Sequence, residues 1–139
     1  MAFQALYSWD VQYSGKKAIP KELLDFSWIL PDPGSSARPK AIKEEMLIFS
    51  RLLVTGTIEN IETIDNVIQK HLLNWELKRL NRVDLALLRM SVYTLMFQTE
   101  MSPSIVIDEA IGISKEFSAP DSYKFINGVL DNVRKSLER

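Results

Sequence analysis

The sequence predicts an all-α protein of about seven helices that form one compact domain. Apolar residues recur at intervals of three and four along most of the chain, which is the spacing of one helix face. No segment alternates apolar and polar residues over the length of a strand. With 139 residues, 46% hydrophobic and 25% charged, the chain has the size and composition of one globular domain. We expect a single domain over 1–139.

Two helices are predicted before residue 40. The first runs from about Ala2 to Tyr13 and ends at Gly15, because glycine commonly terminates a helix. A short second helix begins near Pro20. It cannot continue through 31–36, where two prolines remove backbone donors, so this stretch is predicted to be a loop.

A third and a fourth helix follow Pro39. Their apolar positions are Ile42, Met46, Phe49 and Leu53 in the third, and Ile61, Ile64, Ile68 and Leu72 in the fourth. Gly56 and Asn60 weaken the join between them. The pattern is therefore compatible with one bent helix or with two.

The fifth helix is predicted to be the axis of the fold. Asn81 can cap its start, and Asp84 favours its first turn. The segment from Val83 to Phe97 is apolar on nearly every side, which is typical of a helix surrounded by others. We expect this helix to end at about Thr99.

Two further helices complete the prediction. Pro103 suits the first position of a sixth helix that runs through Phe117. Asp121 or Ser122 can cap a seventh, whose apolar stripe is Ile126, Val129, Val133 and Leu137.

The residues offer little for catalysis or metal binding, so we expect no enzyme activity, no metal and no cofactor. Cysteine is absent, and no carboxylate stands at ligand spacing around His71, the single histidine, which we expect on an exposed helix side. Asp108 and Glu109 are adjacent and point about 100° apart on a helix, so they do not converge as an acid–base pair. One of them is instead expected to pair with Arg89, whose charge lies inside an apolar helix; the alternative role of Arg89 is a phosphate contact.

Charge and hydropathy limit the function classes. The net charge is −1, so RNA binding would require a local basic patch. No apolar run is long enough to span a bilayer, and the first residues lack the pattern of a secretion signal. We expect a cytoplasmic protein that does not bind membranes.

The start of the last helix carries an unusual segment, 123–128, that reads Tyr-Lys-Phe-Ile-Asn-Gly. Glycine inside a helix costs about 1 kcal/mol relative to alanine, yet the helical pattern continues through Gly128. One interpretation is an RNA-binding surface, in which Gly128 permits close approach, Lys124 contacts phosphate and Phe125 stacks on a base. The other is that Gly128 lets this helix pack tightly on the fifth, with Phe125 in the core. The residues alone leave both open.

Several separated motifs together resemble the NusB family over nearly the whole chain. In chain order they are Gln4-Ala5-Leu6-Tyr7-Ser8-Trp9, Ile64-Asp65, His71-Leu72, Asn74-Trp75, Arg79-Leu80, Val83-Asp84, Leu88-Arg89, Val92-Tyr93, Ser102-Pro103, Val106-Ile107-Asp108-Glu109-Ala110, Asp121-Ser122 and Lys124-Phe125-Ile126-Asn127-Gly128-Val129-Leu130-Asp131. Each motif alone is weak, and their ordered combination is specific.

The resemblance implies an all-α fold of two small helical subdomains in one compact domain, with an N-terminal helical part at about 1–60 and a C-terminal part at about 61–139. It also implies a transcription antitermination factor that catalyses no reaction. Such a protein would bind the boxA element of RNA together with the ribosomal small-subunit protein NusE, and would act in the RNA polymerase antitermination complex on ribosomal RNA operons. It would be a monomer or a homodimer. The resemblance also implies site residues. Those expected to contact RNA are Gln4, Tyr7, Lys124, Phe125 and Asn127; Asp121 and Gly128 would shape the RNA site, and Asp84 and Ser104 would face the protein partner.

The sequence departs from the family pattern at two places. Family members usually carry an arginine-rich segment ahead of the first helix, whereas only Met1-Ala2-Phe3 precedes Gln4 here. Fewer phosphate contacts there would lower both the RNA affinity and its salt dependence. Ser104 stands where some members carry tyrosine, which puts one contact to the protein partner in doubt.

Two other functions compete with this one. The first is a helical protein-interaction or dimerisation module without nucleic acid, which the acidic pI favours. The second is the NusB-like domain that precedes some ribosomal-RNA cytosine methyltransferases, which we do not expect because the chain ends at Arg139. For the RNA-binding function, we expect the flank of the first helix and the start of the last helix to form one surface.

Overall fold

The computed structural model describes residues 2–12, 24, 40–73 and 76–138. Within these ranges it contains six α-helices, one 3-10 turn and no strand. The elements are α1 (Ala2–Gln12), α2 (Lys40–Glu59), α3 (Ile61–Lys70), the 3-10 turn (Leu77–Arg79), α4 (Arg82–Phe97), α5 (Pro103–Phe117) and α6 (Ser122–Ser136). The all-α prediction is confirmed. The predicted helix after Pro20, apart from Leu24, and the predicted stops at Gly15 and 31–36 lie outside the described residues.

The central helix of the fold is α4. It packs against α1, α2, α3, α5 and α6, and all its residues from Asp84 to Leu95 except Met90 are buried. The Asn81 side chain caps it, because its Oδ1 accepts a hydrogen bond from the Val83 amide at 2.8 Å. The predicted axis and cap are therefore confirmed, although the helix ends at Phe97 rather than near Thr99.

The α2–α3 join consists of two helices that meet at Asn60. The Asn60 side-chain amide donates to the Gly56 carbonyl at 2.8 Å. A Cβ atom at Gly56 would overlap the Tyr93 ring, with Cζ and Oη as its nearest atoms. Glycine is thus needed at this position because the Tyr93 ring of α4 packs directly against the α2 backbone.

The buried arginine of α4 pairs with α3 and α1. Arg89 Nε and Nη2 donate to the two carboxylate oxygens of Asp65 at 2.8 and 2.9 Å, and Arg89 Nη1 lies 3.7 Å from Asp10 Oδ1. The prediction that Asp108 or Glu109 would pair with Arg89 is wrong. Both carboxylates are exposed on α5, while the guanidinium reaches toward α3 and α1. The buried Arg89 guanidinium therefore links α4 to α3 and α1.

The corner between α5 and α6 is fixed to the rest of the fold by two contacts. Ser118 Oγ donates to Asp84 Oδ1 at 2.6 Å, which joins the corner to the start of α4. The rings of Phe117 and Phe3 lie 5.2 Å apart, which joins it to α1. Across the described ranges, none of the helices is both long and apolar enough to cross a membrane.

Candidate nucleic-acid interface

An open groove of about 310 Å³ lies between the C-terminal end of α3 and the exposed face of α6. Its lining residues are His71, Leu72, Leu73, Lys124, Phe125, Gly128, Val129 and Asn132. Lys124, Gly128 and Asn132 are spaced by four residues and therefore lie along one face of α6. Leu73 is 92% exposed, so an apolar side chain stands free at the groove.

The α6 side of the groove combines a cation, an aromatic ring and open backbone. The Lys124 ammonium is exposed, with its Nζ 3.9 Å from Asp121 Oδ1. Phe125 is half-buried and packs against the core, so its ring is held in place while part of it stays accessible. A Cβ atom at Gly128 would meet nothing within 4 Å. The interpretation that Gly128 allows tight helix packing is therefore wrong, because this position faces open space.

A second cavity of about 470 Å³ lies on another side of Phe125. It is lined by Arg79, Leu80, Asn81, Asp84, Ala119, Pro120, Asp121, Ser122 and Phe125. Phe125 lines both spaces. Arg79 is exposed and adds a second cation to this part of the surface.

A tyrosine between two lysines extends the basic surface at the start of α6. Lys115 Nζ lies 4.8 Å from the centre of the Tyr123 ring, and Lys124 Nζ lies 6.0 Å from it. Cations at these distances interact favourably with the ring face. Two positive charges therefore lie near the start of α6, although the whole chain has a net charge of −1.

The structure brings together some of the predicted site residues. Lys124, Phe125 and Gly128 line the groove, while Asp121 lines the neighbouring cavity. Asp121 is at the N-cap position of α6, but its side chain makes no capping hydrogen bond. Asn127 is exposed on α6, about 100° around the helix from Gly128.

The other predicted residues lie on different helices. Tyr7 is exposed and Gln4 half-buried on α1, which packs on α4 as α6 does. Asp84 is buried, with 7% of its surface exposed, and its carboxylate accepts a hydrogen bond from Ser118 Oγ. Ser104 is exposed in the first turn of α5, where its Oγ lies 3.0 Å from Ser102 Oγ.

Sequence reasoning missed several residues of this surface, namely His71, Leu73, Arg79 and Asn132. The four-residue spacing from Lys124 through Gly128 identifies Asn132 as a member of the same helix face. His71 and Arg79 lie near α6 only through tertiary contacts, and the helical pattern contains no signal for such contacts.

The fold and the groove define a small all-helical protein with the parts used in recognition of single-stranded nucleic acid: cations, an anchored aromatic ring and accessible backbone. The NusB family model matches residues 1–135. The transcription antitermination protein NusB of Treponema denticola is 48% identical over 135 residues, which cover 96% of this chain and 90% of that protein. The corresponding protein of Treponema pallidum (strain Nichols) is 42% identical over 136 residues, 98% of this chain and 89% of that protein. The chain belongs to the NusB family.

Solved structures agree with this assignment. NusB of T. maritima matches with a TM-score of 0.75 and 32% identity, covering 96% of this chain and 85% of that chain. A crystal structure of antitermination factors NusB and NusE in complex with dsRNA matches with a TM-score of 0.75 and 27% identity, covering 97% of this chain and 91% of that chain.

Proposed function

We propose that this protein is a transcription antitermination factor that binds boxA-type RNA together with the ribosomal protein NusE. It acts by binding, as part of the RNA polymerase antitermination complex, and promotes processive transcription of ribosomal RNA operons. The observation that carries the proposal is the groove on α6, where Lys124, Phe125 and the open backbone of Gly128 lie side by side. The antitermination function named for its relatives, and the RNA and NusE in the solved complex, support the same conclusion.

Each residue of the groove has a role that follows from its chemistry. Lys124 contacts phosphate, and Phe125 stacks on a base from a fixed position. Gly128 allows the strand to approach the helix backbone. Asn127 reads a base edge and Tyr7 on α1 adds a polar or stacking contact, so that the RNA-binding surface extends from α6 to α1.

The protein partner is assigned to a different part of the surface. Ser104 lines an open cavity together with Ser102, Asp108, Asp131 and Arg134, where the first turns of α5 lie beside the C-terminal part of α6. Asp84 was predicted to face the partner, but its burial and its bond to Ser118 favour a positioning role for the α5–α6 corner. We expect Ser104→Arg to weaken NusE binding and to leave the binding of RNA alone unchanged.

A fluorescence titration with a single-stranded boxA oligonucleotide tests the proposed function. We expect tighter binding with NusE present, and a loss of at least about 1 kcal/mol for Phe125→Ala because a stacked base is lost. Lys124→Gln should reduce the slope of log affinity against log salt by about 0.7, the contribution of one phosphate contact. Phe49→Ala serves as the control, because Phe49 is also a partly exposed phenylalanine but lies on α2.

The alternative function, an interaction or dimerisation module without nucleic acid, predicts a different result. Exposed apolar residues on α2 and α5, among them Ile48, Leu52 and Ile105, favour protein contacts on that side of the molecule. NusE binding without RNA binding would contradict the proposed function and support the alternative.

The same titration with a double-stranded oligonucleotide tests which form of RNA is preferred. Light scattering distinguishes a monomer from a homodimer.

A further inference from the structure

We propose that His71 is a nucleotide-contacting residue whose Nε2 accepts a hydrogen bond from a donor group of the RNA in the groove. The inference rests on the proposed function and adds to it a recognition contact from the opposite wall. The groove has α6 on one side and the end of α3 on the other, and His71 is the polar residue contributed by the α3 side.

The backbone fixes the proton of His71 on one ring nitrogen. His71 is the C-cap residue of α3, and its Nδ1 lies 2.8 Å from the Val67 carbonyl oxygen. A carbonyl oxygen can only accept, so Nδ1 must donate and therefore carries the hydrogen. In a neutral imidazole the other nitrogen then holds a lone pair, which makes Nε2 an acceptor.

This acceptor is unused within the part of the chain that the structure describes. Nε2 makes no hydrogen bond there. Among the described residues, the buried side-chain atoms without a partner are Thr57 Oγ1 and Ser114 Oγ, so Nε2 is not buried but accessible to solvent. The His71 ring is half-buried and held by the helix end, so little side-chain freedom remains to be lost on binding. An oriented, solvent-accessible acceptor of this kind suits recognition rather than helix capping alone.

The neighbouring groups define the chemistry of the ligand. The Lys124 ammonium supplies donors for phosphate oxygens, and the Phe125 ring supplies a stacking face. A nucleotide bound by those two groups still has donors of its own, namely the 2′-hydroxyl and the amino or imino groups of the base. His71 Nε2 can accept a hydrogen bond from the 2′-hydroxyl or from a base. This contact would make the groove selective for nucleotides whose donor group faces the α3 side.

Two substitutions separate the roles of the two ring nitrogens. In His71→Asn, the side-chain amide can replace the Nδ1 donor to Val67 but provides nothing at the Nε2 position. In His71→Gln, the longer side chain can place an acceptor near the Nε2 position. We expect His71→Asn to weaken binding of the boxA oligonucleotide about fivefold, the size of one hydrogen bond, with little change in the urea midpoint. His71→Gln should bind within about twofold of the unchanged protein, because it keeps an acceptor for that hydrogen bond.

Single 2′-deoxy substitutions in the oligonucleotide identify the donor. If the loss in His71→Asn disappears at one deoxy position, the donor is that 2′-hydroxyl; if it persists at every position, the donor is on a base. His71→Ala, which lacks both nitrogens, provides a second variant without the acceptor.

The results that overturn the inference differ from those that overturn the proposed function. Unchanged binding by His71→Asn and His71→Ala, with Phe125→Ala weakened, would reject the role of His71 and leave the proposed function intact. Equal losses in His71→Asn and His71→Gln would also reject it. No RNA binding by the unchanged protein would reject both.

Discussion

Replacing Gly128 by alanine should make the protein more stable and its RNA binding weaker. Gly128 lies in the interior of α6, and an added Cβ would meet nothing within 4 Å, so the substitution has no steric cost. Alanine is favoured over glycine inside a helix by about 0.8–1.0 kcal/mol. With an m value of about 2 kcal/mol/M, the urea midpoint should rise by about 0.5 M. The methyl group would project into the groove and hinder close approach of an RNA strand.

Gly112 provides a matched control for this substitution. It lies in the interior of α5 and is exposed, and a Cβ atom added there would also meet nothing within 4 Å. The surface around it carries Asp108, Glu109 and Glu116, which disfavour RNA. Gly112→Ala should therefore raise the urea midpoint by a similar amount and leave the RNA affinity unchanged.

The two measurements can refute the reasoning separately. A lower urea midpoint for Gly128→Ala would show that the position is not open in the folded protein. A higher midpoint with unchanged RNA affinity would show that RNA does not approach this part of α6. Equal losses of RNA affinity in both alanine variants would mean that the effect is not local to the groove.

Four other substitutions test the packing and the charges. Gly56→Ala should destabilise the protein by about 1–3 kcal/mol in urea unfolding, because its Cβ would overlap the Tyr93 ring; a gain in stability would contradict this. Asp65→Asn should cost about 2–4 kcal/mol, since it leaves a buried guanidinium without its main partner. Asp131→Asn, at a partly exposed ion pair, should cost much less. Equal losses in the two variants would argue against a stabilising role of the buried Arg89–Asp65 pair. A hydrogen bond from Arg134, and to a smaller extent one from Lys135, holds the pKa of Asp131 below its ordinary 3.8. The ionised carboxylate therefore contributes stability above pH 3.8, and this contribution is lost as the pH falls through the lowered pKa. An NMR titration should show that Arg134→Gln raises the pKa of Asp131.

The helices of this protein could be predicted from sequence because their signals are local. Periodic apolar residues, the Asn81 cap and Pro103 at a first helical turn depend on neighbours a few positions away. The partner of Arg89 could not be predicted in this way. Asp65 lies 24 residues from Arg89 in sequence, and which of several carboxylates meets the buried charge depends on how α3 packs on α4.

The candidate site was predictable on one side only. Lys124, Phe125 and Gly128 belong to one continuous motif, which is unusual because glycine is unfavourable in the interior of a helix. The opposite wall, which includes His71, comes from a segment more than 50 residues earlier in the chain. Its position beside α6 is a tertiary contact, so no spacing rule within either helix could reveal it.

Mapping the RNA contact by NMR tests the central claim most directly. In a titration of the isotope-labelled protein with a boxA oligonucleotide, we expect the largest amide shift changes at Lys124, Gly128 and Asn132 and around His71. Changes confined to the exposed apolar side of α2 and α5, near Ile48 and Ile105, with α6 unaffected, would contradict the account.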